Sequence, residues 1–135
     1  MIIGLVVHYF VWNVEILSTA PARVLGFTVF VASGLLGHFA HRAMDRVGTN
    51  VFPTQPTLAI ATDGPYRFTR NPLYIAAIGV YIGTTLWVNS VVMLLLLLPM
   101  VVILHWGIVL REEEYLTAKF PEAYGAYRAR VRRWI

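Results

Sequence analysis

Between Arg70 and Arg111 the chain carries no aspartate, glutamate, lysine or arginine. Within that stretch lie IAAIGVYIGTTLWV and VVMLLLLLPMVVIL, divided only around Asn89 and Ser90. Crossing a hydrocarbon core of ~30 Å takes about 20 helical residues, with a range of roughly 17 to 25. The stretch therefore reads as two membrane helices, over 72–88 and 90–110, joined in a tight antiparallel hairpin. Two further apolar segments precede it. One covers 2–17 and contains His8, Asn13 and Glu15; the other covers 22–40 and opens after Pro21.

Composition points the same way. Hydrophobic residues make up 58% of the 135 residues and charged residues 13%, with a mean hydropathy of +0.64. A water-soluble domain carries about a quarter charged residues. The expected fold class is thus all-α: an integral membrane bundle of about four transmembrane helices, in one domain over 1–135. The absence of cysteine excludes disulfides, thiolate nucleophiles and cysteine-based metal sites. Segment 2–17 has no basic region ahead of it and no small-residue cleavage pattern before Pro21, so it reads as a retained helix rather than a signal peptide.

The net charge of +4 is distributed unevenly. Arg42, Arg46, Arg67 and Arg70 lie between the second and third segments, and Arg111, Lys119, Arg128, Arg130, Arg132 and Arg133 follow the fourth. Only Arg23 lies between the first two. Cytoplasmic loops of membrane proteins collect basic residues, which predicts a cytoplasmic middle loop and tail of a multi-pass protein in the inner (cytoplasmic) membrane. Anionic lipid headgroups, and not nucleic acid, are the partner this charge needs. In the middle loop, from 41 to 70, the prolines of TNVFPTQPT argue against a continuous helix. In the tail, 111–135, Tyr115, Leu116, Phe120, Tyr124 and Tyr127 recur at three- and four-residue steps. That spacing predicts an amphipathic helix, bent at Pro121, lying on the membrane surface or capping the bundle.

Two polar clusters flank the hairpin. In TRNPLY, Asn71 suits a helix N-cap and Pro72 the first helical position, so the cluster is first of all a way to start a membrane helix. The same helix start offers free N–H groups to an anion, and Arg70 beside it adds a cation. Tyr74 and Tyr81 fall on one face beyond it. In REEEYL, Glu112 and Glu113 emerge on the side of the membrane that carries Arg70 and Asn71. A zwitterionic ligand between the clusters would meet carboxylates on one side and donors on the other. The histidines suggest no metal: His38 and His41 alone are closely spaced, and a histidine within a bundle more often packs or pairs. Neither a nucleophile elbow nor a glycine-rich phosphate loop is present.

LAIATDGPYRFTRNPLYIA followed by REEEYLTAKFPEAYGAYRARVRRW resembles the isoprenylcysteine carboxyl methyltransferase family and the related phospholipid N-methyltransferases, including their small bacterial members. The resemblance runs over roughly 48–134. It rests on Gly64-Pro65-Tyr66, on Arg70-Asn71-Pro72-Leu73-Tyr74, on Glu112-Glu113 with Leu116, and on the tail positions Phe120, Tyr124, Tyr127 and Arg130-Val131. Asn71, where the isoprenylcysteine enzymes carry His, is closer to the phospholipid enzymes. The resemblance implies a cytosolic S-adenosylmethionine pocket lined by Ala61, Thr62, Gly64, Tyr66, Asn71, Pro72, Tyr74, Glu112 and Glu113. Arg70, Glu113 and Arg130 are the implied catalytic positions, and no metal is expected. The expected activity is methyl transfer to a lipid-like or prenylated small molecule, with carboxyl O-methylation ahead of phospholipid N-methylation. A carboxylate acceptor would be held by Arg130 or Arg70, whereas an amine would lose its proton to Glu113. The competing expectations are a non-catalytic four-helix scaffold or a haem or quinone carrier using His38 and His105, and a redox enzyme on a related scaffold.

Overall fold

The structure, a computed structural model, describes residues 1–10, 15–48 and 59–135. Its elements in order are α1 (Ile2–Phe10), α2 (Thr19–Arg46), a 3₁₀ turn (Gly64–Arg67), α3 (Pro72–Val88), α4 (Val91–Val102), a π-helical stretch (Ile103–Val109), α5 (Leu110–Lys119) and α6 (Pro121–Arg130). No strand occurs among the described residues, and the fold is all-helical. The TNVFPTQPT segment lies outside the described residues.

Among the described residues, two helices are long and apolar enough to cross a membrane. One is α2, of 28 residues; the other is the continuous helix Val91–Lys119, of 29 residues. At ~1.5 Å per residue each is about 42 Å long, more than a ~30 Å hydrocarbon core requires. Their outward faces expose Val24, Phe27, Leu95, Leu98, Ile103 and Trp106. A water-soluble protein does not leave so much apolar surface open, whereas lipid tails cover it at no cost. With 17 residues, α3 sits at the lower limit for a span.

Several expected boundaries are corrected. The first helix is the nine-residue Ile2–Phe10, about 14 Å long, and Glu15 to Ser18 form a turn instead of continuing to residue 17. The second helix starts earlier and ends later than 22–40. It runs on into the first residues of the segment expected as loop, with a His41 Nδ1–Asp45 Oδ2 contact of 2.9 Å on its last turns. Small Ala40 and Ala43 there are wholly buried against tyrosines from the tail, so packing extends the helix past the apolar run.

The turn between α3 and α4 is as tight as its sequence implies. Asn89 adopts the left-handed conformation (φ 59°), which asparagine tolerates, and ends α3. Ser90 caps α4 by accepting a hydrogen bond from the Met93 N–H at 3.3 Å. The Asn89 side chain also accepts from the Ile16 and Leu17 N–H groups, both at 3.0 Å, and donates to the Leu17 carbonyl at 2.7 Å. These three bonds fasten the 15–18 turn over the end of α3.

The pairing of α2 with α3 depends on backbone proximity. A Cβ on Gly83 would stand 2.5 Å from the Phe30 nitrogen, and one on Gly26 would collide with the backbone of Trp87. Small residues permit this approach, which supplies the dispersion contacts that hold helices together where no hydrophobic effect operates. Further on, Pro99 interrupts the α4 ladder and the wider π stretch comes next. The helix then continues without a break into α5, so the acidic run REEE lies inside a helix and not at an exposed C-terminus.

Candidate functional site

Tyr66, Tyr124 and Tyr127, together with Ala40, Ala43 and Ala61, form a buried cluster at the end of the bundle where α3 begins. The amphipathic tail builds it. Leu116, Phe120, Tyr124 and Tyr127 turn inward across the break at Pro121, while Tyr115 stays out and its hydroxyl accepts from Lys119. The Tyr127 hydroxyl donates to the Tyr66 carbonyl at 2.8 Å. Burial, foremost, pushes the Tyr66, Tyr124 and Tyr127 phenols above the ordinary tyrosine range; Arg70 partly offsets it at Tyr124 and Tyr127.

Beyond α6 the chain returns to the start of α3. Thr69 and Arg132 form a parallel bridge, and the Arg70 N–H donates to the Arg132 carbonyl at 2.9 Å. The Arg133 carbonyl accepts from the Thr69 hydroxyl at 3.0 Å and from Asn71 Nδ2 at 2.8 Å. Asn71 therefore precedes α3 without capping it: its side chain binds the tail.

Glu113, 7% exposed, lies between two guanidinium groups. Arg70 Nη1 is 3.0 Å from Oε1; Arg133 donates from Nε to Oε1 at 3.0 Å and from Nη2 to Oε2 at 2.9 Å. Both carboxylate oxygens are thus occupied. The carboxylate in turn pushes the Arg133 guanidinium further up. Glu112 is placed differently. It accepts a 2.7 Å hydrogen bond from the Tyr74 hydroxyl and has no cation partner among the described residues.

These groups wall one cavity of about 270 Å³. Ala61, Tyr66, Arg70, Asn71, Tyr74, Glu112 and Glu113 line it, joined by Tyr124, Tyr127 and an apolar side that includes Met44, Leu73, Ala77 and Leu116. An apolar chamber with a few convergent polar groups is the usual form of a small-molecule site. Arg70 adds a specific signal, because its Nε is buried and has no hydrogen-bond partner. A buried donor left unpaired costs about 1–3 kcal/mol, which a ligand acceptor would recover.

The other sequence candidates are not on this wall. Thr62 is exposed. Gly64, at φ +55°, shapes the 3₁₀ turn that carries Tyr66. Pro72 is fully buried at the first position of α3. Arg130 is exposed on α6 and its Nε donates to the Ala126 carbonyl at 3.3 Å, so it stands outside the chamber. Tyr81 is buried deeper, donating to the Met93 carbonyl. His38 packs on Phe39, and His105 on Trp106 and Trp134; neither reaches the cavity. Among the described residues no group of three His, Cys, Asp or Glu side chains is arranged to hold a metal. Sequence reasoning missed Arg133. It is one basic residue in the run RVRRW, and only the return of the tail singles it out.

Comparison with known proteins gives three findings. The profile of the family described as phospholipid methyltransferase matches residues 21–123. An uncharacterized protein of Haemophilus influenzae is 29% identical over 63 residues, which is 47% of this chain and 100% of that protein. No solved structure matches.

Proposed function

The chain belongs to the phospholipid methyltransferase family, and from that premise we propose that it moves a methyl group from S-adenosylmethionine to an amine on a lipid headgroup. The observation that carries this reading is Glu112, a carboxylate on the cavity wall, steadied by Tyr74 and free of any cation partner among the described residues. Such a group attracts a positively charged ligand, and its own position is already set by the phenol.

Bound S-adenosylmethionine supplies an electrophilic methyl group on a positively charged sulfur. The protein's part is to position and to exclude. Arg70 offers its unpaired Nε to a carboxylate, such as that of the donor's methionyl portion. The tyrosines and leucines of the wall exclude water from the reacting centre. Glu112 would hold the acceptor as an ammonium and then take its proton, which leaves a nitrogen lone pair free to receive the methyl group. Glu113, with both oxygens engaged, positions Arg70 and the tail and is not the base. This assignment moves the proton-accepting role from Glu113 to its neighbour. The site end carries the basic middle segment and tail, which supports a multi-pass arrangement with this end in the cytoplasm.

A carboxyl acceptor is the second reading, favoured by the same unpaired Arg70 Nε, since Arg130 lies outside the cavity. One experiment separates the two. Purified protein is incubated with methyl-labelled S-adenosylmethionine and total membrane lipid, and the labelled lipid is treated with mild base. A methyl ester releases its label as methanol, whereas an N-methyl group keeps it. Retained label, lost with Glu112→Gln, is the expected result. Label released by base refutes the amine reading, and no labelling or donor binding in any lipid or detergent refutes methyl transfer altogether.

A further inference from the structure

A second cavity, of about 680 Å³, lies at the other end of α3. Its wall includes Asn89, 18 residues after Asn71, hence about 27 Å along the helix from the first site. Residues distant in sequence meet there because Asn89 fastens the 15–18 turn in place. Glu15, Arg23 and His8 all line it. Glu15 and Arg23 are exposed and form no ion pair among the described residues, so opposite charges share one chamber without being spent on each other. His8 is 4% exposed, and its Nδ1 is buried without a hydrogen-bond partner. Phe30 and Trp87, ring centroids 6.3 Å apart and edge to face, supply a half-exposed aromatic side.

We infer that this cavity binds the headgroup of a zwitterionic aminophospholipid. The phosphate lies between the Arg23 guanidinium and His8 Nδ1–H, the ammonium lies at Glu15, and the glycerol and upper acyl chains lie along Phe30 and Trp87. The charge pattern selects this occupant. A carboxylate beside a cation and a buried, unpaired imidazole nitrogen suits a ligand carrying both signs, and aromatic rings beside charges are the usual furnishing of the headgroup layer. The lipid held here is out of reach of Glu112, so it is a resident of the fold and not the methyl acceptor. The site does not depend on the methyl-transfer reading.

Native mass spectrometry of the full chain in detergent, titrated with phosphatidylethanolamine, phosphatidylglycerol or diacylglycerol, tests the inference. Phosphatidylethanolamine is expected to add as a one-to-one adduct, at least about tenfold tighter than diacylglycerol, with Arg23→Gln or His8→Phe removing most of that margin. Glu15→Gln is expected to bring phosphatidylethanolamine down to the level of phosphatidylglycerol. In Glu112→Gln protein the adduct persists, which separates it from lipid in the first cavity. Equal binding of all three lipids overturns the inference, as does an adduct indifferent to Arg23→Gln and His8→Phe but lost with Glu112→Gln.

Discussion

Replacing Glu113 with glutamine keeps the side chain's shape and removes its charge from between two guanidinium groups. Arg70, with 8% of its side chain exposed, then faces Arg133 with no negative charge between them. Breaking a buried ion pair by removing one partner costs about 3–5 kcal/mol, because the remaining charge can neither leave nor find water. Arg133→Gln removes two hydrogen bonds from the other side of the same carboxylate. Arg133 is one-third exposed, and Glu113 keeps Arg70, so solvent screening limits that loss to about 1–2 kcal/mol. The two substitutions delete contacts of similar length, yet the first is expected to cost about two to three times as much. Adding Arg70→Met to Glu113→Gln removes the stranded charge and is expected to restore part of the loss. The assay is unfolding of the purified protein in detergent by heat or by added dodecyl sulfate, followed by tryptophan fluorescence, with wild type and the three variants compared side by side. Equal shifts for Glu113→Gln and Arg133→Gln, or a further loss on adding Arg70→Met, would refute the account of Glu113 as a buried clamp.

Two other perturbations test the fold at different points. Gly83→Leu forces α3 away from the Phe30 backbone, and is expected to lower the unfolding midpoint more than Gly34→Leu, where a Cβ has open space around it. Equal effects would remove the glycine contact from the α2–α3 pairing. Raising the pH is expected to destabilise the protein from about pH 10 upward. Tyr66, Tyr124 and Tyr127 have folded-state values raised by burial, so their contribution is intact below the unfolded tyrosine value of about 10 and is lost as pH climbs towards the folded ones. The chain has a single lysine, which limits competing titration in that range. Unfolding midpoints that stay flat to pH 11, or that fall equally in Tyr127→Phe protein, would contradict this.

Much of the fold was legible because it depends on local chemistry. An uncharged run long enough for two helices, broken at Asn-Ser, fixes a hairpin, since asparagine tolerates the left-handed turn and serine caps the second helix. The three- and four-residue spacing of Leu116, Phe120, Tyr124 and Tyr127 likewise gave the inward face of the tail, and Pro121 its bend. Where tertiary contacts decide, hydropathy misleads. The last turns of α2 read as loop because their residues are polar, yet alanines at 40 and 43 fit them against tyrosines over 80 positions away in sequence. The reach of the first helix failed in the opposite direction, because apolarity continues past the point where the Asn89 side chain holds a turn.

The candidate site divides along the same line. Residue types chosen for their chemistry, Arg70, Tyr74, Glu112 and Glu113, reach one cavity because the hairpin returns the end of the long helix beside the start of α3. Their roles were not legible, since a role depends on which partner each group finds. Two adjacent glutamates differ by about 100° around a helix, enough to put one against two arginines and the other against a phenol. Full ionic pairing makes Glu113 a fastening for the tail, whereas Glu112, with no cation partner among the described residues, is the candidate for binding. The same logic sets Arg133 above Arg130 in the tail. Three residues apart, one is delivered to the carboxylate by backbone bonds to Thr69 and Asn71, while the other remains on the outer face of α6. Among groups of equal chemistry, the unpaired ones are the candidates for binding and the fully paired ones for holding the cavity open.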